Sequence, residues 1–271
     1  MYNLSLTALA ANPFAVSAII LFLYMSWAFL IALYLRNNSI VDIGYGLGFI
    51  MVAATILFNF GEHPLGGVIT TLVSIWGLRL AIRIHERNRN RPEDFRYAAW
   101  RAKWTWFKTR SFFQIFMLQG FIIFLIVSPV VYADSMAADP RLQYLSVIGV
   151  LVWIIGFLFE SVGDYQLDRF IRNPENKGHL MDQGLWGLSR HPNYFGEATE
   201  WWGIWIAALP ATLAAAWWAP VVTLIASPVL ITFFLLKVSG VPLLEAAMKE
   251  RPGWSEYSRR VSMFIPWFPK K

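Results

Sequence analysis

Seven stretches of about twenty mostly apolar residues recur along this chain, and they leave it one way to fold. In a bilayer every backbone N–H and C=O must find its partner inside the spanning segment, which favours helices. The stretches lie at Pro13–Leu35, Ser39–Phe60, Leu65–Ile84, Phe112–Ala133, Leu142–Val162, Tyr194–Ala214 and Ala216–Lys237. Each is long enough to cross a hydrocarbon core of about 30 Å. They predict an all-α integral membrane protein: a single domain over residues 1–271, built as a bundle of about seven transmembrane helices. Composition agrees, since only 15% of residues are charged, against about 25% in a soluble domain. The first stretch lacks a basic leader and is long enough to span, so it reads as a helix and not as a cleaved signal. There is no cysteine, which excludes disulfides, thiolate chemistry and cysteine-based metal sites. No metal site is expected.

The basic residues fall between the apolar stretches, where topology signals sit. Ten Lys or Arg lie in Arg79–Arg110, four in Asp164–Arg190 and six after Gly240, whereas Gly61–Pro64 and Asp134–Arg141 hold one between them. The imbalance predicts an outside N-terminus and a cytoplasmic C-terminus. Cytoplasmic loops near 85–111 and 165–192 and a tail over 240–271 follow from it. The net charge of +6 is then a topology signal, and nucleic acid is not an expected partner.

Polar residues inside apolar stretches are costly and ask for a task. Asp42 stands a turn inside the second stretch, followed by Gly44, Gly46 and Gly48. Two roles are open to Asp42, an ion pair with Arg79 or catalysis; the glycines leave room for a close helix or a flat ligand. Arg79 sits within the third stretch. After it, Arg87-Asn88-Arg89-Asn90-Arg91-Pro92 is denser in Arg than topology needs, which suits bidentate phosphate binding or contact with anionic lipid heads. Trp100, Trp104 and Trp106 read as an interfacial belt. Glu160 and Asp164 share a helix face at i, i+4, and Arg172-Asn173-Pro174 opens a turn cluster. An amphipathic tail carries Glu245, Trp254, Tyr257, Arg259 and Arg260; it anchors at the surface or covers a site.

The densest chemistry is Ser189-Arg190-His191-Pro192-Asn193-Tyr194-Phe195-Gly196-Glu197, running on to Glu200 and Trp201. Pro192 suits the first helical position, where its missing N–H costs nothing, and it pushes His191 onto the turn before it. Asn193, Glu197 and Glu200 then fall on one helix face.

At Arg190-His191-Pro192-Asn193-Tyr194-x-Gly196-Glu197, with the C-terminal Phe264-Ile265-Pro266, the chain resembles the steroid 5-alpha-reductase family, in its bacterial branch. The likeness is strongest over Asp164–Lys271 and weaker over Asn37–Tyr97. Arg-His-Pro alone is less specific, because it recurs in sterol reductases and in isoprenylcysteine and phospholipid methyltransferases. The resemblance implies seven helices around NADPH, in the inner membrane of a bacterium. Asn193 and Glu197 match positions at the nicotinamide end. Asp164 and Arg172 match polar positions on the cofactor, and Arg79 with Asn88, Arg89 and Arg91 matches an Arg-bearing helix and loop near the phosphates. Asn173, Arg190, His191, Tyr194 and Glu245 complete the candidate cofactor residues. The characterised steroid enzymes hold the substrate carbonyl with a Gln-Glu pair in span two and a Tyr in span three. Here only Asp42 and Trp76 stand near those positions, and Tyr45, a turn beyond Asp42, is the nearest hydroxyl.

The expected chemistry is hydride addition to the β-carbon of an enone in a lipid-like substrate. A protonated Asp42 or Tyr45 polarises the carbonyl, and Glu197 serves at the nicotinamide. No Gly-x-Gly-x-x-Gly opens a soluble helix, so the cofactor expectation rests on the resemblance. The competing expectation is an S-adenosylmethionine-dependent membrane methyltransferase using the same turn and carboxylates such as Glu245. Neither the substrate's identity nor the oligomeric state follows from the sequence.

Overall fold

The computed structural model describes residues 9–61, 64–214 and 219–270, and among them the chain is helical with a single isolated β-bridge, Ser189 to Ser262. Six stretches are long and apolar enough to cross a membrane: Pro13–Leu35, Ile40–Phe60, Pro64–Asn88, Phe107–Ile126, Pro140–Arg172 and Pro220–Met248. The seventh expected span is a helix too, Pro192–Leu213, but Asn193, Glu197, Glu200 and its three tryptophans lower its apolarity. Pro210 lies within this helix, and residues 215–218, between the sixth and seventh expected spans, are outside the described residues.

The helices form two compact units. The first comprises residues 1–143 and 208–224, the second 144–207 and 225–271. The first holds α1 (Pro13–Leu35), α2 (Ile40–Phe60), α3 (Pro64–Asn88), α4 (Phe95–Lys103) and α5 (Phe107–Ser111). A wider π-type turn, Phe112–Met117, leads to α6 (Leu118–Ile126), and α7 (Ser128–Ser135) follows. Asn12 caps α1, its side chain accepting from the N–H groups of Phe14 and Ala15 at 3.0 and 3.1 Å, with Pro13 in the first turn. Leu21, Met25, Ala28 and Ala32 make the buried stripe of α1, while Phe22, Leu23, Trp27 and Leu30 are left exposed, as suits a lipid-facing side. Hydroxyls within the apolar helices are satisfied locally: Ser17, Thr55, Thr71 and Ser74 each donate to the carbonyl four residues back.

α2 crosses α3 where Gly46 meets Gly77. A Cβ on Gly77 would lie 2.7 Å from the Gly46 carbonyl oxygen, and one on Gly46 would meet the Gly77 carbonyl. That resolves the open reading of these glycines for Gly46, whose role is helix packing. Gly44 makes room instead for Tyr24, whose hydroxyl donates to the Gly44 carbonyl at 2.9 Å.

The second unit is built on α8 (Gln143–Arg172) and α9 (Pro192–Leu213), with α10 (Ala219–Leu224), α11 (Ala226–Phe233), α12 (Val241–Met248) and α13 (Trp254–Arg260) following in the chain. α10 belongs by position to the first unit. At 30 residues α8 is about 45 Å long, more than a bilayer core needs, so it continues past the expected end at Val162. Asp164, Asp168 and Arg172 are therefore helical and not in a loop.

α8 and α9 meet through glycines spaced seven apart. A Cβ on Gly156 would lie 2.7 Å from both the Gly196 oxygen and the Glu200 nitrogen; one on Gly203 would lie 2.6 Å from the Trp153 nitrogen and 2.7 Å from the Gly149 oxygen. Lipid gives helices no hydrophobic reason to associate, so close backbone packing of this kind carries the association. Gly156→Ala should destabilise the solubilised protein by about 1–3 kcal/mol. Gly67→Ala, where the added methyl meets nothing within 4 Å, should not; chemical unfolding in one detergent compares them.

Candidate functional site

The site grows from the turn that enters α9. Pro192 opens that helix, as expected, and the turn before it is buried: Ser189 is 0% and His191 4% exposed. Burial is affordable because the polar groups are taken up. The Ser189 hydroxyl donates to the Phe264 carbonyl at 2.7 Å and accepts the His191 N–H at 3.1 Å. Arg190 donates its backbone N–H to the Ser262 carbonyl at 2.8 Å and its Nη1 to the Ser258 carbonyl at 2.6 Å. Its Nη2 pairs with Glu245 Oε1 at 2.9 Å, and the same oxygen lies 3.3 Å from His191 Nε2. Burial holds the imidazole below its usual pKa of about 6.5, against the upward pull of Glu245. His191 and Tyr194 stack, ring centroids 5.7 Å apart.

The glycine contact between α8 and α9 sets the next layer. Glu160 and Asp164 of α8 and Glu197 and Glu200 of α9 are all buried. Asn193 Nδ2 donates to Asp164 Oδ1 at 3.1 Å. The Trp186 indole donates to the Gly163 carbonyl at 2.9 Å, and Gln166 accepts the Leu185 N–H at 3.0 Å, so the segment before the turn is held on α8. Gly184 lies there at φ +60°, packed on the Gln166 side chain, where a side chain of its own has no room.

Three buried atoms in this short stretch have no hydrogen-bond partner: Arg190 Nε, His191 Nδ1 and Asn193 Oδ1. Buried polar atoms are rarely left so without a reason. Arg190 and His191 border a cavity of about 580 Å³, within the range of small-molecule sites. Arg172, Lys177, Arg190 and Arg251 bring cations to its wall, Asn173 and Asn176 bring amides, and Trp186, Trp254 and Tyr257 bring flat surfaces. Among the described residues no carboxylate lines it, and most of the wall is apolar, with Phe170, Ile171, Leu180, Met181 and Leu244. The set fits an anionic ligand with an aromatic part: guanidinium and ammonium for phosphate, rings for a base, and unpaired polar atoms for an amide.

The other expected residues lie in the first unit. Asp42 does not pair with Arg79. Its Oδ1 accepts the Tyr97 hydroxyl at 2.6 Å and its Oδ2 accepts Arg96 Nη2 at 3.3 Å. With both oxygens accepting, the carboxyl has the bonding of an acceptor, against the expected protonated donor. Burial and then the Asp42 carboxylate push the Tyr97 phenol well above its usual range. Glu93 anchors the same segment: it accepts Arg101 at 2.7 and 2.9 Å and the Asn38 N–H at 2.7 Å. Although burial works against its charge, these donors hold its carboxyl below the usual range. Tyr45 packs edge-on to Phe49, ring centroids 5.1 Å apart. Arg79 lies within α3 beyond the Gly77 crossing, and Asn88 ends that helix. Arg89 and Arg91 are exposed. Of the expected tryptophan belt, Trp100 and Trp104 stack at 5.0 Å under Arg110, and Trp106 is exposed.

The structure thus brings Asp164, Arg172, Asn173, Arg190, His191, Asn193, Tyr194, Glu197 and Glu245 into one unit. Sequence reasoning missed Lys177 and Arg251 on the cavity wall and Tyr97 and Arg96 on Asp42. No spacing in the sequence links Arg96 or Tyr97 to Asp42, which lies 54 and 55 positions away.

A family model described as "Protein of unknown function (DUF1295)" matches residues 28–261. The 3-oxo-5-alpha-steroid 4-dehydrogenase 1 proteins of Bos taurus and Homo sapiens are each 37% identical over 79 residues, 29% of this chain. The chain matches only 29% of the length of either relative. No solved structure matches.

Two measurements test the local chemistry. Tyr97→Phe strips a donor from half-buried Asp42 and leaves that oxygen short of a partner, which should cost about 1–2 kcal/mol in unfolding free energy. For His191 the sign is fixed by its lowered folded pKa: the unfolded chain takes up the proton first. Stability is therefore whole above about pH 6.5 and is lost as pH falls toward the folded value. His191→Gln should remove that acid limb from the difference between the two pH–stability curves.

Proposed function

We propose, from the premise that this chain belongs to the family described as Protein of unknown function (DUF1295), a steroid 5-alpha-reductase-like family, that it is a membrane reductase. In this reading it uses NADPH to saturate a polarised C=C bond of a steroid- or lipid-like substrate. The observation that carries the reading is the cavity to which Arg172, Lys177, Arg190 and Arg251 bring cations, bordered by the residues of the unpaired Arg190 Nε and His191 Nδ1.

When bound, NADPH supplies the hydride, and the chain's own groups do the rest. Arg172, Lys177 and Arg251 neutralise phosphate, and Arg in particular offers a fork that matches it. Trp186 and Trp254 give a base a flat apolar bed. Asn193, fixed through its amide nitrogen by Asp164, presents Oδ1 as an acceptor for an amide N–H. Glu197, one turn further along α9, orients the same end. Asp42 fixes the start of α2 to the Arg96–Tyr97 segment within the first unit.

NADPH at 100 times its Kd should stabilise the solubilised protein by about 2.7 kcal/mol. NADH should act more weakly, and S-adenosylmethionine should not act. Arg172→Ala should weaken the NADPH effect, and Glu197→Gln should lower enone-dependent NADPH oxidation by about 10²-fold. Stabilisation by S-adenosylmethionine alone would replace the reductase reading with the methyltransferase one.

A further inference from the structure

The C-terminal segment is bonded to the candidate site along its whole length. Tyr257, buried on α13, donates its hydroxyl to the Trp186 carbonyl at 2.7 Å. Ser258 and Ser262 accept from Arg190, and Phe264 accepts from Ser189. The Trp267 N–H donates to the Leu188 carbonyl at 3.0 Å. Five hydrogen bonds therefore run from residues 257–267 to residues 186–190, and the Ser189–Ser262 bridge lies in their midst. The side chains beyond are turned away: Ile265 is 64%, Trp267 71% and Phe268 81% exposed. The strap is thus held by these hydrogen bonds and by Val261, which is buried, while Ile265, Trp267 and Phe268 stay largely in the open.

Ser189 is the joint. Its one hydroxyl grips the strap through Phe264 and, through the His191 N–H, fixes the residue that carries an unpaired Nδ1 beside the cavity. Ser189 does not itself border the cavity, and neither does any described residue past Tyr257.

We infer that residues 261–267 form a strap that positions the Arg190–His191 turn for its anionic ligand, with Ser189 as the positioning residue that couples the two. This rests on the NADPH reading for the identity of the ligand, but not for the coupling. An undocked strap leaves Arg190 N–H, Ser189 Oγ and the Leu188 carbonyl to be satisfied otherwise, and the turn gains freedom that a ligand must then remove. The strap should act on affinity and leave the chemical step alone.

The test uses the full-length protein in detergent. Trp267→Pro deletes one strap N–H while altering only an exposed side chain. Phe268→Pro makes the same change one residue along, at an N–H outside these bonds. Ser189→Ala cuts the joint itself. Amide hydrogen exchange at Arg190 and His191 should speed up about tenfold in Trp267→Pro and more in Ser189→Ala, and stay at the parent rate in Phe268→Pro. The Kd and KM for NADPH should rise about tenfold in the first two, with kcat within about twofold. Unchanged exchange in Trp267→Pro overturns the strap, whether or not Ser189→Ala folds. Faster exchange with unchanged Kd overturns its positioning role. A parent protein that ignores NADPH while exchange still responds removes the reductase reading and leaves the coupling standing.

Discussion

The contact of α8 with α9, backbone on backbone, is the constraint under the candidate site. Gly149, Gly156 and Gly163 on one helix and Gly196 and Gly203 on the other remove the side chains that would hold two helices apart. In lipid that closeness carries the association, because neither helix gains by hiding apolar surface from the other. Its chemical consequence is positional. Gly196 packs on the backbone of Glu160 and Gly156 on that of Glu200, so acids of both helices are fixed at the seam. Asn193 is brought to Asp164, and Gly163 keeps a carbonyl open for the Trp186 indole.

A polar turn at the end of such a helix would ordinarily be loose. Here it is held from three directions: by α8 through Trp186 and Gln166, by α12 through Glu245, and by the C-terminal segment. The bonds that use up most polar groups of residues 186–191 make the few remaining ones informative. Arg190 Nε, His191 Nδ1 and Asn193 Oδ1 stand out because the groups around them are satisfied. The cavity bordered by Arg190 and His191 adds cations and aromatic rings to a largely apolar wall.

The first unit applies the same rules to a different end. Gly46 and Gly77 let α2 and α3 cross. Asp42, expected to pair with Arg79 or to polarise a substrate carbonyl as a protonated donor, accepts from Tyr97 and Arg96 and so ties α4 to the start of α2. Glu93 does the same beside it through Asn38 and Arg101. Arg89 and Arg91, next to this segment, are exposed.

Helix content and span positions were written in the chain, because the need to satisfy backbone groups in lipid acts on each stretch by itself. Pro192 marked the start of α9 for an equally local reason, and the seven-residue glycine spacing was there to be counted although it was not used. The cofactor-side residues from Asp164 to Glu197 were legible as a cluster because they are close along the chain. What α9 and its turn would be bonded to was not. Tyr97 with Asp42, Ser189 with Phe264 and Arg190 with Ser262 join residues 55 to 75 positions apart or nearly so. No periodicity encodes such pairs, because any serine or carbonyl could have served. The packing of the helices chose among them by deciding which came within 3 Å.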